Sequence, residues 1–448
     1  MSNLSRRKFL LTASVTAAGT LIVNGCSTGL NKSASSSSST SNTSPSAVPA
    51  VNSGTAEAPE TPTAKLGFIA LTDSAPLIVA LEKGLFAKYG MTNVSVNKQT
   101  SWAVVRDNIE LGSERGGIDG SHILSPIPYF MTAGKITKGN TPVPMYIMAR
   151  LNTDGQGISI SNDYADLKLG LDSSPLKAKI AAAASAGKKF KCAVTFPGGN
   201  HDLIMRYWLA AGGIDPEKDV DIVVVPPPQM VANMETKTMD AFCVGEPWND
   251  RLVSKKLGYT AVTTGEFWKN HPEKAFAMRA DWVDKNPKAA KALMMAIQEA
   301  QVWCDKDENK EEMCKIISAD KYVKAPVDDI LDRSKGNFDL GNGRTLQNSD
   351  LLMKFWRENA SYPFKSHDTW FVTENIRWGK LEANTDVKAL VDKVNRADIW
   401  QAAAKAIGQE AAIPKDLDSR GLETFFDKVA FDPANPKAYL DSLKIKKA

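Results

Sequence analysis

Three junctions between a predicted strand and a predicted helix carry residues that suit the binding of a small anion. The junctions are Gln99-Thr100-Ser101-Trp102, Pro197-Gly198-Gly199-Asn200-His201 and Val244-Gly245-Glu246-Pro247-Trp248. Ser101 and Asn200 are typical helix N-caps, and the glycines let a ligand approach the backbone closely. A helix N-terminus offers free N–H groups and partial positive charge, so each junction can seat an anion. One such junction is weak evidence, but three that face one cleft indicate a site for a small oxyanion.

The motifs of nucleotide chemistry and of hydrolysis do not occur in the sequence. Gly155-Gln156-Gly157 lacks the third glycine of a dinucleotide fingerprint, and neither GxSxG nor HExxH is present. The chain has only four histidines, and Pro272 interrupts the one metal-like step, His271-Pro272-Glu273. The pattern therefore favours a binding protein without metal or cofactor over an enzyme.

Alternation of strand-like and helix-like segments predicts an α/β fold with mostly parallel sheets. A first series of segments runs from Leu66 to Arg150, and a second from Lys179 to Val244. A strand at Lys274 to Arg279 then leads into a mostly helical remainder. We place two chain crossings near residues 154–159 and 272–279, which predicts two lobes. Because ligands lie beyond the carboxyl ends of parallel strands, the junctions of both lobes should meet across a cleft.

The N-terminus predicts export and lipid anchoring. Ser5-Arg6-Arg7-Lys8-Phe9-Leu10 matches a twin-arginine motif, and the apolar stretch after it ends at Val23-Asn24-Gly25-Cys26. This ending is typical of a lipoprotein processing box, so we expect cleavage before Cys26 and a lipid on its sulfur. The lipid would hold the protein on the periplasmic side of the plasma membrane. Residues 26–64, rich in Ser, Thr and Pro, predict a flexible linker.

The charge balance argues against a nucleic-acid-binding protein, and the cysteine spacing argues against a zinc or redox motif. Loss of the three basic leader residues from the 55 Lys and Arg leaves 52 against 51 Asp and Glu, so the mature chain is nearly neutral. Nucleic-acid binding needs an excess of Lys and Arg and is not expected. Four cysteines besides Cys26 show no CxxC pair and are predicted to be structural, with disulfides left open: Cys192, Cys243, Cys304 and Cys314.

Leader, linker and mature chain together resemble the substrate-binding lipoproteins of cyanobacterial ABC nitrate transporters, the NrtA type, which are related to bicarbonate-binding proteins. The stretches that carry the resemblance are Phe196-Pro197-Gly198-Gly199-Asn200-His201-Asp202, Val244-Gly245-Glu246-Pro247-Trp248 and His271-Pro272-Glu273-Lys274-Ala275. The resemblance covers essentially the whole chain. It implies a two-lobed, periplasmic-binding-protein-like clamp (type II), each lobe a mixed, mostly parallel sheet with helices.

The resemblance also implies what the protein does and how it is divided. It is expected to be a monomer that captures nitrate and nitrite without catalysis and delivers them to a permease with its ATP-binding subunits. The expected divisions are a signal peptide at 1–25, a linker at 26–64, lobe I at 65–155 and 275–448, and lobe II at 156–274.

Five ligand-binding residues follow from the resemblance: Trp102, Gln156, His201, Gly245 and Lys274. Nitrate is planar, singly charged and offers only acceptors, so amide, imidazole, backbone and ammonium N–H groups suit it. Burial of the anion requires a compensating charge, which Lys274 supplies. The expectation is a ring of donors without a carboxylate and without a metal.

Three other interpretations stay open at this point. The bicarbonate-binding relatives are similar but carry an acidic residue at the position of Lys274, which recruits calcium; Lys274 would repel that ion. An enzyme of thiamine metabolism could use His201 in chemistry, although the export leader argues against a cytoplasmic substrate. A sensor could bind the anion and pass nothing on. Each site residue also has an ordinary structural explanation, such as core packing for Trp102 or a turn for Gly245.

Overall fold

The computed structural model describes residues 58–447, so the leader, Cys26 and most of the predicted linker lie outside the described residues. The first strand begins at Thr63, earlier than the predicted Leu66, and Thr63 and Ala64 pair in parallel with Asn93 and Val94. The predicted linker at 26–64 therefore overlaps the sheet by two residues. Thr63 is polar and only half-buried, and Lys65 is exposed, so the first residues of this strand lack the apolar pattern of a buried strand.

Within residues 58–447, ten strands build two five-stranded sheets, and two short hairpins follow. The strands are β1 (Thr63–Phe68), β2 (Asn93–Lys98), β3 (Gly120–Leu124), β4 (Met145–Arg150), β5 (Gln156–Ser161), β6 (Phe190–Val194), β7 (Val220–Val224), β8 (Ala241–Gly245), β9 (Gly258–Thr263), β10 (Lys274–Arg279), β11 (Phe338–Asp339), β12 (Thr345–Leu346), β13 (Glu423–Thr424) and β14 (Ala430–Phe431).

Helices cover the sheets and make up most of the C-terminal region. The α-helices are α1 (Ala75–Glu82), α2 (Leu85–Lys88), α3 (Trp102–Leu111), α4 (Ile127–Thr132), α5 (Leu176–Ser185), α6 (Asn200–Ala211), α7 (Met230–Glu235), α8 (Trp248–Ser254), α9 (Thr264–Phe267), α10 (Ala280–Lys285), α11 (Pro287–Asp305), α12 (Lys310–Ser318), α13 (Asp328–Ser334), α14 (Lys365–Arg377), α15 (Val387–Val394), α16 (Ala397–Ala406) and α17 (Pro436–Ser442). Within residues 58–447, no helix combines the length and apolar character that a membrane span needs.

The two sheets share one plan. Lobe I has the strand order β2-β1-β3-β10-β4, and lobe II has the order β7-β6-β8-β5-β9. In each sheet one strand runs against the other four: β10 in lobe I and β5 in lobe II. Each of these reversed strands follows a crossing of the chain from one lobe to the other. The predicted α/β architecture with two mixed, mostly parallel sheets is confirmed.

The lobes meet through an apolar cluster that contains side chains of both. Leu71 and Leu124 of lobe I pack in the same cluster as Val244 and Trp248 of lobe II. The indole Nε1 of Trp248 donates to the carbonyl oxygen of Ala70 at 3.0 Å. The ends of β1 and β8 therefore face each other directly, as expected for the carboxyl ends of strands across a closed cleft.

The C-terminal region does not belong to lobe I alone, which departs from the expected assignment of 275–448. Helix α11 packs into the lobe I core, but Trp370 and Phe371 of α14 lie in the lobe II core. Phe431 and Tyr439 near the C-terminus pack there too. These aromatic side chains explain the difference, because they are buried in the same cluster as Ile158 and Val194 of the lobe II strands.

The four cysteines of the described chain are buried free thiols. Burial raises the pKa of Cys314 to about 11, and it also raises the pKa values of the other three. Their predicted structural role agrees with this packing.

Candidate functional site

Lys274 is the centre of a buried polar cluster between the lobes. It is the first residue of β10 and has no exposed surface. Its Nζ donates to Asp73 Oδ2 at 3.0 Å and to Glu273 Oε1 at a shorter distance. Burial alone would lower the pKa of Lys274, but the two carboxylates outweigh it and raise that pKa above its ordinary value. The side chain is therefore an ammonium held by two carboxylates.

Both carboxylates are fully committed as acceptors. Asp73 Oδ1 lies 2.5 Å from His122 Nε2, and Glu273 Oε2 accepts from the Asn152 amide at 2.7 Å. Burial would raise the pKa of Asp73, but Lys274 and His122 hold it well below its ordinary value. The His122 Nδ1 accepts the backbone N–H of Ile69 at 3.4 Å, so its Nε2 carries the proton and points to Asp73.

His201 lies in the first turn of α6, as the glycine-rich junction predicts. Its Nδ1 is 2.5 Å from Thr195 Oγ1. Its Nε2 is 3.4 Å from Glu273 Oε1 and has no hydrogen-bond partner among residues 58–447. Burial, with a further contribution from Lys274, lowers the pKa of His201 to about 4. The imidazole is therefore neutral at pH 7 and presents one unpaired nitrogen beside Glu273.

Gln156 and His271 form a second pair at the crossings between the lobes. Gln156 opens β5, and its Nε2 lies 3.3 Å from His271 Nδ1. Within the described chain, neither Gln156 Oε1 nor His271 Nε2 has a partner. Burial lowers the pKa of His271 to about 3, so the ring is neutral. The orientation of the Gln156 amide is thus tied to the tautomer of His271.

Trp102 and Gly245 close the cluster from opposite lobes. Trp102 begins α3, and the Ser101 hydroxyl caps this helix by accepting from the Val104 N–H at 3.2 Å, as predicted. The Trp102 ring centroid is 5.8 Å from Lys274 Nζ, and the indole Nε1 is unpaired in the part of the chain that the structure describes. A Cβ on Gly245 would lie 3.1 Å from an oxygen of Asp73, so the backbone passes close to the carboxylates.

The five residues that the sequence singles out therefore lie in one cluster. Trp102 and Gly245 approach Lys274 and its carboxylates, while His201 contacts Glu273. Gln156 joins them because it pairs with Gly245 in the β5–β8 ladder. Buried polar atoms without partners are costly, so the unpaired indole and imidazole groups suit a ligand that offers acceptors.

Two carboxylates in this cluster contradict the expected ring of donors. Asp73 and Glu273 were not anticipated as site residues, although Glu273 directly precedes Lys274. Asp73 follows β1 in a short turn (Thr72–Ser74), which makes it part of a fourth strand–helix junction. The available signal was the position of Asp73 at the carboxyl end of a strand, where the other three junctions also lie.

The chain matches the model of the NMT1-like family over residues 57–318. It is 63% identical over 446 residues to the nitrate/nitrite binding protein NrtA of Synechococcus elongatus, covering 100% of this chain and 99% of the relative. It is 44% identical to the bicarbonate-binding protein CmpA of the same species, covering 99% and 98%. The crystal structure of the periplasmic nitrate-binding protein NrtA from Synechocystis superposes with a TM-score of 0.84, at 60% identity, and covers 87% of this chain and all of that one.

Proposed function

The chain belongs to the NrtA group of nitrate/nitrite binding proteins within the NMT1-like family, and from this premise we propose that it captures nitrate and nitrite for import. The observation that supports the proposal is the buried ammonium of Lys274 in one cluster with the unpaired indole N–H of Trp102 and the unpaired imidazole nitrogen of His201. These groups suit a small anion that offers only acceptors. Both lobes contribute, so a bound anion would bridge them and favour the closed form.

Trp102, Gln156, His201, Gly245 and Lys274 are proposed as the ligand-binding residues. Trp102 lies against the anion, and Lys274 with His201 donates to it. Gln156 donates through its amide. Gly245 lets the backbone approach, since a Cβ there would come within 3.4 Å of Glu273 as well as Asp73.

The second candidate, a calcium-assisted bicarbonate binder, fits less well. An ammonium at position 274 occupies the place between Asp73 and Glu273 where a cation would otherwise sit. Identity to the nitrate/nitrite-binding relative is also higher than identity to the bicarbonate-binding one, 63% against 44%. We therefore favour an anion held without metal.

The leader and the family suggest where the protein works and with what. It is proposed to be held by a lipid on Cys26 at the periplasmic side of the plasma membrane, and to pass its anion to an ABC permease with ATP-binding subunits. It is proposed to act by binding alone, since the sequence contains no hydrolase or nucleotide motif. Cell fractionation tests the anchor. If a lipid on Cys26 holds the protein, the wild type should be found in the membrane fraction and a Cys26→Ser variant should not.

Anion titration by calorimetry, with and without calcium, tests the proposal. Saturable heat is expected with nitrate and nitrite, independent of calcium and stronger than with bicarbonate. Bicarbonate binding that depends on calcium and exceeds nitrate binding would favour the second candidate. Absence of saturable heat with nitrate and nitrite at every pH would reject the proposal.

A further inference from the structure

The cluster around Lys274 carries more negative than positive charge before any anion enters. The described residues contribute the carboxylates of Asp73 and Glu273 against one ammonium, and all three side chains have no exposed surface. All four oxygens of these two carboxylates have a donor at hydrogen-bond distance, and each carboxylate contacts Lys274, so both groups act here only as acceptors. The cluster therefore has a net charge of −1 when its imidazoles are neutral.

Entry of an unprotonated nitrate would bring this enclosed cluster to −2. Burial of uncompensated charge is costly, since the low-dielectric surroundings cannot replace hydration. Lys274 cannot compensate for the anion alone, because its charge is already matched by Asp73 and Glu273. The site is short of one positive charge for tight capture of a monovalent anion.

Of the three imidazoles that the described chain places around the site, His201 is the one that can accept a proton without the loss of a hydrogen bond and without the turning of a neighbouring amide. His122 Nδ1 already accepts the N–H of Ile69, and His271 Nδ1 is placed to accept from the Gln156 amide. His201 differs, because its Nδ1 faces a hydroxyl that can accept as well as donate, and its Nε2 is unpaired beside Glu273. An imidazolium there would donate from both nitrogens.

We propose that the protein takes up one proton with each nitrate, and that His201 accepts this proton. The inference rests on the proposed function: nitrate is the first ligand of the site, and the proton is the second. The charge balance is simple: a cluster at −1, one nitrate and one proton give a complex at −1. No bond within nitrate changes, and solvent supplies the proton.

The surroundings of His201 allow such a switch. The charged and titratable groups that face it are Asp73, His271, Glu273 and Lys274. Without the anion, burial and Lys274 keep the pKa of His201 at about 4, although Glu273 and Asp73 act in the opposite direction. A nitrate in contact with Lys274 would cancel its repulsion and add attraction, and both effects favour the imidazolium.

Proton uptake is measurable on the wild-type protein without any variant. Nitrate titrations at pH 7.5 in buffers of different ionisation enthalpy should show uptake of about one proton per nitrate. The dissociation constant should rise by up to about tenfold for each pH unit above the pKa of the complex. Nitrate binding with no buffer dependence and a constant dissociation constant between pH 6 and 9 would overturn the proton proposal and leave the proposed function intact.

Variants assign the proton to its group. His201→Gln keeps a donor but cannot be charged, so proton uptake should disappear and the remaining binding should not depend on pH. Glu273→Gln removes one negative charge and should bind nitrate without uptake. His367→Gln, a change of a buried histidine outside the cluster, should keep the wild-type uptake. Undiminished uptake in the His201 variant would overturn the assignment.

Two other results have distinct meanings. If nitrate binding shows no proton uptake but strengthens with added calcium or sodium, a metal cation supplies the missing charge, and the proton proposal is wrong. If nitrate and nitrite give no heat at all, the proposed function itself fails.

Discussion

At the scale of single residues, the cluster around Lys274 shows why a functional lysine was easier to anticipate than its partners. The resemblance pointed to Lys274, but only the fold brings Asp73 to it, across 201 residues of sequence. Such a contact leaves no periodic or spacing signal. The N-cap at Ser101 could be predicted, because its hydroxyl accepts from Val104, only three residues further along the chain.

Replacement of Lys274 should abolish tight nitrate binding and weaken the fold. Lys274→Met leaves two buried carboxylates without a cation, which costs about 3 to 5 kcal/mol when one partner of a buried pair is removed. Nitrate affinity should fall at least about 100-fold by calorimetry. The loss of stability should be smaller at pH 4 to 5, where the orphaned carboxylates take up protons. Lys285→Met, on the surface, is the matched control. Nitrate affinity within threefold of wild type would refute the central role of Lys274.

A methyl group at Gly245 should weaken anion binding while the fold persists. In Gly245→Ala the new Cβ would lie 3.1 Å from Asp73 Oδ2 and 3.3 Å from Leu71, closer than ordinary contacts. We expect a loss of nitrate affinity of about tenfold or more and a loss of stability of about 1 to 3 kcal/mol, which leaves the protein folded. Gly170→Ala is the matched control, since its Cβ would have no neighbour closer than 4.0 Å. Equal affinities of the two variants would show that close approach at Gly245 is unimportant.

At the scale of elements, one of the two reversed strands was predicted from the sequence and the other was not: β10 has the predicted bounds, Lys274–Arg279, whereas β5 was not predicted. The pairing of β6 with β7 and β8 follows from short apolar runs that have clear boundaries. Strand β5 was missed, because Gln156, Ser159 and Ser161 read as a loop although the whole strand is buried. Ser159 is satisfied there by donation to Asn249 at 2.8 Å. A buried polar strand depends on partners that the local sequence does not reveal.

The two crossings between the lobes are held together by Asp154. Its N–H donates to the His271 carbonyl at 2.8 Å, and its Oδ1 accepts the His271 N–H at 2.9 Å. Burial raises the pKa of Asp154 from 3.8 to about 8. The folded protein therefore holds a proton that the unfolded chain releases above pH 4. Stability from this group is present below pH 4 and is lost as the pH rises toward 8.

Asp154→Asn should remove this pH dependence. The Asn Oδ1 still accepts the His271 N–H, and asparagine tolerates the φ of 59° at this position. The variant should match wild type near pH 4 and exceed it at pH 8 by about 1 kcal/mol or more, measured by denaturant unfolding without nitrate. Asp163→Asn, an exposed site on lobe II, should change stability by about 0.5 kcal/mol or less at both pH values. A wild type that is more stable than the Asp154 variant at pH 8 would contradict this account.

At the scale of the whole molecule, the resemblance to nitrate/nitrite-binding proteins is confirmed, but the way the C-terminal region joins the lobes was not foreseen. The backbone of Lys354 pairs in both directions with Thr153 at the first crossing, so a third segment lies at the hinge. Helix α13 also reaches both lobes: Ile330 packs in the lobe I core, while Arg333 donates to lobe II. A clamp tied at several points should open less than one joined by two strands alone.

Arg333 is the test of this idea, because it binds the segment that follows Gly245. Its guanidinium donates to Glu246 at 2.6 Å, to Asp250 at 3.1 Å and to Thr260 at 3.1 Å, and only 3% of the residue is exposed. Arg333→Met removes these bonds without a change in the residues proposed to contact the anion. Bound anion and Arg333 both favour the closed form. Loss of Arg333 should therefore weaken anion binding, and bound anion should partly restore the closed form of the variant.

We expect Arg333→Met to reduce nitrate affinity by about tenfold and to speed amide hydrogen exchange in residues 246–254. Saturating nitrate should restore part of the protection, since the ligand selects the closed form. Arg106→Met, at an exposed ion pair with Asp107, should change neither quantity. If residues 246–254 of the Arg333 variant exchange at the wild-type rate, Arg333 does not hold this segment and the idea is wrong. If exchange is faster but nitrate affinity is unchanged, Arg333 holds the segment without controlling closure.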